Sequence, residues 1–449
     1  MQPEQFADWT YYPALLARPV PRYTSYPVAA EFVEGGFEAR QRAALQALRG
    51  PVSIYLHIPY CEEICWYCGC NTGAAGKRFR LTAYLEALHH EIALVAEMLD
   101  PSVRVEHIAF GGGSPNAIAP TAFVRLIDAL MLAFRFVRPV LSLEIDPRGL
   151  TRDWLTAIRG IGVTRVSLGV QTFDPAVQAA IGRVQPRDMI ARAVDGLRSA
   201  GVCSINFDLM YGLPHQTGAV LAETLAESAL LGPNRIALFG YAHVPHMIPR
   251  QRRIDAADLP DQRGRFRMAA MGSRQLIDAG YQAVGFDHFA LPGDTLARAA
   301  LNGTLRRNFQ GFTDDASPIL LGLGASAISA LPGLPGQPGL IVQNEKNPGR
   351  YRMLIGADSL AGRKGLETSA EDQRRGALIE ALLCQGAAQV DPDLMAGARA
   401  QLEPFAAAGL VRFENGWLRL EQDSAPYARA IAAVFDGYRA AEHSFSSAI

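Results

Sequence analysis

The chain has 449 residues, 49% hydrophobic and 19% charged, and its 43 Lys plus Arg against 44 Asp plus Glu leave a formal charge of −1. This composition excludes a disordered chain, which is poorer in apolar residues and more strongly charged, and it excludes nucleic-acid binding through bulk positive charge. With 42 glycines and 28 prolines many loops are expected, and the length suits about three units, or one large α/β domain with additions.

The N-terminus has no positive region followed by an apolar run, so no secretory signal is expected and a cytoplasmic protein is predicted. Residues 1–50 show weak periodicity. They include Pro21-Arg22-Tyr23-Thr24-Ser25-Tyr26-Pro27, whose flanking prolines predict an N-terminal extended arm rather than a helix.

From residue 51 a rhythm begins. Ser53–Ile58, Val105–Phe110, Leu141–Ile145, Arg165–Val170, Ser204–Met210 and Arg235–Tyr241 are short apolar runs and read as strands. Between them lie helical patterns over Leu81–Leu99 and near 151–160, 175–200 and 218–231. Strands alternating with helices predict βαβ units, a parallel sheet and an α/β fold, a (β/α) barrel within residues 51–355. In such barrels chemistry sits on loops after the carboxyl ends of the strands. Those ends carry a cysteine cluster, Gly111-Gly112-Gly113-Ser114-Pro115, Glu144-Ile145-Asp146, Gly169-Val170-Gln171, Asp208 and Tyr241-Ala242-His243. All should converge on one rim.

The uncharged stretch Ala316 to Asn344 is too interrupted by glycine and proline for a membrane span, and predicts a buried strand followed by a Pro/Gly loop. After residue 360 the rhythm changes. Helices over Ala370–Gly386 and Pro392–Gly409, a hairpin of Leu410–Phe413 and Trp417–Leu420 across Asn415-Gly416, and a last helix near 424–441 predict a small, mainly helical, winged-helix-like C-terminal domain over 360–449. No basic recognition helix stands out, so an accessory lid is expected rather than a DNA-binding module.

Four of the six cysteines fall between Cys61 and Cys70. That is too few for a disulfide scaffold and reads as metal ligation or redox chemistry. Cys61, Cys65 and Cys68 are spaced C-x₃-C-x₂-C. Thiolates suit zinc or iron–sulfur clusters, but a structural zinc site usually takes two ligand pairs separated by a longer stretch. Three cysteines in one short loop can hold three irons of a 4Fe–4S cube and leave the fourth iron open. Spacing alone does not exclude Cys70 as a fourth ligand. Cys203 and Cys384 are expected to be buried apolar residues.

A C-x₃-C-x₂-C loop after the first strand of a (β/α) barrel resembles the radical S-adenosylmethionine (SAM) superfamily. Tyr55-Leu56-His57-Ile58-Pro59-Tyr60-Cys61, Cys68-Gly69-Cys70-Asn71, Pro21–Pro27, Asp208–Pro214, Tyr241–Pro245, Asp287–Ala290, Asn308–Thr313 and Phe445-Ser446 resemble, more narrowly, the oxygen-independent coproporphyrinogen III oxidases. The resemblance implies a radical-SAM partial (β/α) barrel. It implies oxidative decarboxylation of coproporphyrinogen III to protoporphyrinogen IX by a SAM-derived 5′-deoxyadenosyl radical, in porphyrin and haem biosynthesis.

It also implies roles. Cys61, Cys65 and Cys68 hold the 4Fe–4S cluster, while Cys70, not a ligand, and Tyr55 serve catalysis. Two SAM molecules contact Tyr55, Tyr67, Gly112, Gly113, Ser114, Glu144, Gln171, Arg183, Asp208, Ala242 and Ile328. The residue types suit this: the glycines permit close backbone approach, the carboxylates accept from ribose hydroxyls or an amine, and the Arg183 fork suits a carboxylate. Ser114 and Asn116 stand where threonines are commoner, and Leu291 where an arginine is often found. The four propionates of the substrate call for basic partners. Arg22 and Arg307 are the candidates in matched segments, with Arg250, Arg252, Arg253 and Arg306 also basic.

The implied partners are coproporphyrinogen III and an electron donor such as flavodoxin or its reductase, with no nucleic acid, no membrane and a monomeric state. The alternatives are a related radical SAM tetrapyrrole enzyme, transferring methyl groups in haem degradation, or a haem-binding chaperone. Cys70 and the proline-flanked arm argue against both.

Overall fold

In the computed structural model, residues 4–438 are described, apart from 7, 77 and 334–336. Phe445-Ser446 and the end of the last predicted helix lie outside the described residues. Six strands form the frame: β1 (Pro51–Ile58), β2 (Arg104–Gly112), β3 (Phe136–Ile145), β4 (Arg165–Gln171), β5 (Ser204–Tyr211) and β6 (Arg235–Gly240). Each pairs in parallel with the next, in sequence order. The helices Arg78–Met98, Pro120–Ala133, Arg152–Ile161, Arg187–Ser199 and Gly218–Leu231 cross over between them. This is the predicted (β/α) rhythm, and it places all six carboxyl ends on one rim.

The barrel is partial. Its strands belong to one sheet of 13 strands in linear order. Beyond β1 the sheet continues through β7 (Leu320–Leu323), parallel to β1, and then antiparallel through β8 (Ile328–Leu331), β9 (Gly339–Asn344), β10 (Gly362–Thr368) and the short Val33–Glu34. The uncharged stretch is therefore three strands, not one strand and a loop. Its glycines hid them: Gly324 at φ +100° and Ser326 at φ +71° turn the chain sharply between β7 and β8. Among the described residues no helix is long and apolar enough to cross a membrane.

Local signals explain most element ends. Thr151 accepts a hydrogen bond from the Trp154 N–H and caps Arg152–Ile161, which Gly162 closes at φ +79°. That helix buries Trp154 against Phe123 (ring centroids 5.1 Å), which packs on Phe110 of β2 (4.9 Å). The stack holds β2 in place just before its glycine-rich end.

Both flanks differ from expectation in detail. The N-terminal segment is irregular over residues 19–27, without helix but bent over 24–27 and with Tyr23 at φ +47°, and it also contains a helix, Glu38–Ala47, which buries only Gln41 and Leu45 and so leaves little apolar periodicity to read. The C-terminal region has the two predicted helices, Ala370–Gln385 and Pro392–Ala407, and the hairpin Val411–Glu414/Trp417–Leu420, with Asn415 and Gly416 both at positive φ. Ala387–Gln389 adds a third strand and completes a winged-helix-like unit. The predicted last helix is instead a 3₁₀ turn (Gln422–Tyr427), five α-helical residues (Ala428–Ala432) and a second 3₁₀ turn. Pro426 and the tertiary bonds of Tyr427 break the regular helix: the Tyr427 hydroxyl donates to Thr10 O at 2.7 Å and accepts from Tyr12 N–H at 2.8 Å. Cys384 is buried as expected, whereas Cys203 is exposed, at the turn before β5.

Truncating the stack should be felt globally. Phe123→Ala removes a ring packed between Phe110 and Trp154, and should cost about 3–5 kcal/mol of stability, read as a lowered midpoint in thermal unfolding.

Candidate active site

Each strand of the rim delivers chemistry to one cleft, with a volume of about 470 Å³. β1 runs into the cysteine loop, and Cys61, Cys65, Cys68 and Cys70 all line the cleft, together with Tyr67. The loop is stitched to the glycine-rich end of β2. Gly113 N–H donates to Ile58 O (2.9 Å) and Ser114 N–H to Tyr60 O (2.8 Å). A Cβ at Gly113 would lie 2.5 Å from Tyr60 O and 2.7 Å from Thr72 Oγ1, and one at Gly111 would strike the Glu144 carboxylate. These glycines are there because two backbones and a carboxylate meet.

The cysteine sulfurs are surrounded by donors. Cys61 Sγ accepts from Thr72 Oγ1 (3.2 Å), Cys65 Sγ from Arg183 Nη1 (3.3 Å) and Arg148 Nη2 (3.5 Å), and Cys68 Sγ from the Cys70 N–H (3.4 Å). The Cys70 thiol also donates to Cys68, and with Arg250 and Arg183 nearby this lowers Cys68 to about 6 against its burial. Burial pushes Cys61 up to about 11.

Arg183 is buried, and it joins three elements. Nη1 also reaches Asp146 Oδ2 (3.2 Å), while Nε and Nη2 donate to Gly169 O on β4. Arg148 binds the same Asp146 (2.6 Å) and Glu63 of the cysteine loop (2.6 Å). Ser114 Oγ donates to Asn116 Oδ1 (2.5 Å), and both oxygens accept from Asp146 N–H. The two departures from threonine thus form a buried latch between the ends of β2 and β3.

Glu144 and Asp208 lie deeper. Burial, then the Asp208 charge, raises Glu144 to about 7, opposed by the Gly112 N–H at 3.3 Å. Burial raises Asp208 too, although Ser167 and Asn206 donate to it. Gln171 sits at φ +67° with its Oε1 buried and without a hydrogen-bond partner among the described residues. A strained backbone and an orphaned acceptor on the cleft wall are what a bound polar ligand relieves.

Gly112, Gly113, Ser114, Glu144, Gln171, Arg183, Asp208, Ala242 and Arg22 all line this cleft. Tyr55, Ile328 and Arg307 do not. Tyr55 stands behind it, its hydroxyl 3.3 Å from His57 Nδ1 and pushed up by burial and then by the nearby Glu144. Ile328 begins β8, packed against Gly322, the β7 partner of Tyr55. Arg307 lies further down the barrel, its Nε and Nη2 donating to the carbonyls of Tyr23 (3.1 Å) and Arg22 (3.0 Å). Arg306 is held by Glu380 at 2.7 Å. Sequence patterns missed Arg148 and Gln251. The latter is buried and ties Tyr67 O (2.8 Å) to Ala242 O (3.0 Å), and nothing in its local sequence announces it.

The residues fit an iron–sulfur cluster and an organic cofactor. Three soft sulfurs on one loop, each with a polar donor, are a cluster's ligand set and its tuning shell. Among the described residues no three His, Cys, Asp or Glu groups gather as ligands of one ion. A cube needs no such focus, because each thiolate takes a different iron.

Comparison with known proteins agrees with this arrangement. The radical SAM superfamily matches residues 55–227. Oxygen-independent coproporphyrinogen III oxidase of Bradyrhizobium diazoefficiens is 45% identical over 93% of this chain and 94% of its own, and that of Paracoccus denitrificans 39% over 96% of both. The chain belongs to the oxygen-independent coproporphyrinogen III oxidase family. The solved structure of coproporphyrinogen III oxidase (HemN) from Escherichia coli, a radical SAM enzyme, superposes with a TM-score of 0.89 at 34% identity, covering 97% of this chain and 100% of that one. Family membership implies a 4Fe–4S cluster and SAM. Gly113→Ala should impose about 1–3 kcal/mol of local strain where Thr72 supports Cys61, and anaerobic reconstitution should then load less iron per chain than in the parent protein.

Proposed function

We propose that this protein carries out the oxygen-independent oxidative decarboxylation of coproporphyrinogen III, converting two propionates to vinyl groups and giving protoporphyrinogen IX. One observation carries the reading. The three-thiolate loop, the glycine-rich turn and the buried carboxylates share a single cleft with Arg22 of the N-terminal arm, so cofactor groups and a cation for an anionic substrate face the same space. The names of relatives that align over nearly the whole chain support it.

Cys61, Cys65 and Cys68 would hold the cluster, with Cys70 beside them as a non-ligand. When bound, the cluster and SAM supply a carbon radical able to take a hydrogen atom from a propionate side chain. The protein's own residues do the rest. Gly112, Gly113 and Ser114 offer backbone and hydroxyl groups to an amino-acid portion, while Glu144, Asp208 and Gln171 offer acceptors to hydroxyls or an amine. Ala242 and Tyr67 wall the cleft, and Arg183 fixes Cys65 and the ends of β3 and β4. Tyr55 and Ile328 support the cleft from behind, and a second SAM molecule is part of this proposal. Walls of this kind orient the reacting side chain and exclude water.

The proposal includes a monomeric, cytoplasmic enzyme supplied with electrons by flavodoxin or its reductase, without nucleic-acid or membrane partners. The near-zero net charge supports the last point.

The test is direct: reconstitute the cluster anaerobically, add SAM, a reductant and coproporphyrinogen III, and follow products by mass. Successive loss of two carboxyl groups as CO₂ is expected; tight haem binding without vinyl product would overturn the proposal. Cys70 is exposed in the cleft and outside the three-cysteine spacing. Cys70→Ser should therefore keep the visible spectrum of the cluster while lowering turnover, and a lost spectrum would make Cys70 a ligand.

A further inference from the structure

Beside the main cleft is a second, smaller recess of about 40 Å³, which shares Arg22 and Phe239 with it. Three guanidinium groups reach its wall from three separate parts of the chain. Arg22 comes from the N-terminal arm, Arg265 from the helix Gln262–Asp278, and Arg429 from the C-terminal segment. Arg307 lies within the same field, close enough to act on Arg429 and Asp287. The one carboxylate on the wall is Asp287, and His288 Nδ1 holds it at 2.6 Å.

In a chain of net charge −1 this is a marked local excess of positive charge. The cluster is also under-satisfied: Arg265 Nε and Arg307 Nη1 are buried without a hydrogen-bond partner among the described residues. Burial, and then Arg22, lowers Arg429 to about 10. Arg265, Arg307 and Arg429 are drawn away from water beside the exposed Arg22, and cations so placed oppose folding unless an anion joins them. The arrangement makes sense as a site whose missing partner is a ligand.

The recess is small. At about 40 Å³ it suits a group the size of a carboxylate rather than a tetrapyrrole ring. Arg307 places the arm that supplies Arg22, since it binds the carbonyls of Arg22 and Tyr23 while resting against the rings of Phe286 (4.8 Å) and Phe312 (4.4 Å). Arg22 Nη2 in turn donates to Gly240 O at 3.2 Å, at the end of β6.

We infer that this recess anchors one side-chain carboxylate of the substrate that the reaction does not consume, with Arg22 and Arg265 donating to it and Arg307 positioning the arm. The inference rests on the proposed function for the nature of the substrate. Phe239 lines both spaces, so a carboxylate held in the recess fixes the orientation of the macrocycle while a different propionate faces the cleft. It also assigns the C-terminal segment, through Arg429, a wall of the substrate site.

The test uses the reconstituted full-length enzyme with coproporphyrin III, the stable oxidised form of the substrate, as a fluorescent binding probe. Arg265→Gln should weaken binding about tenfold or more and raise KM for coproporphyrinogen III while kcat is largely kept. Arg22→Gln on the exposed arm should do the same, and it carries the test alone if Arg265→Gln does not fold. Arg22→Lys should recover part of the loss. Parent-like affinity and KM in the folded variants would overturn the inference, as would a fall in kcat with KM unchanged. An inactive parent enzyme would instead overturn the proposed function, and the two failures are thus separable.

Discussion

The buried guanidinium of Arg183 is the group on which the rim depends. It donates at once to a cysteine sulfur, to the carboxylate of Asp146 and to the backbone carbonyl of Gly169. A guanidinium carries five donors in a fixed plane, so satisfying three acceptors from three segments fixes their mutual positions. Arg148 shares Asp146 Oδ2 with it and reaches the cysteine loop at Glu63. The cysteine loop is therefore held through its side chains and not only by its own backbone, which matters for a loop that must offer three sulfurs in a set geometry.

The second constraint is close backbone contact. Gly111 and Gly113 stand where a methyl group would collide with Glu144 or Tyr60, and Gly285 where one would strike the Phe312 ring. The first two sites bring strand ends together around the cleft, and the third brings the aromatic support of Arg307 under the arm. Packing of this kind transmits position over distance, because close-packed interiors deform little.

Much of this was legible in the sequence. The alternation of apolar runs with helical periodicity gave the parallel frame, and the chemistry at strand ends gave the rim, because the parallel barrel allows only one end for it. Cys61, Cys65, Cys68, Glu144, Gln171 and Asp208 meet there as their strand positions required. What stayed hidden has physical reasons. Arg148 and Gln251 act through tertiary contacts that no local period reports. The three strands of the uncharged stretch were obscured by the same glycines that shape their turns, and the helix Glu38–Ala47 buries too few apolar residues to show a stripe. That Arg307 holds the arm through the carbonyls of Arg22 and Tyr23 is likewise a tertiary contact with no local signal.

The hydrogen bonds from Tyr427 to Thr10 and Tyr12 span more than four hundred residues of chain. During synthesis the arm is made well before its partner. Closing so long a loop carries an entropy cost that only the finished contacts repay. The bonds tie the arm that carries Arg22 to the segment that carries Arg429, and both arginines line the same small recess. The basic wall of the site is thus built from segments more than four hundred residues apart, and neither builds it alone.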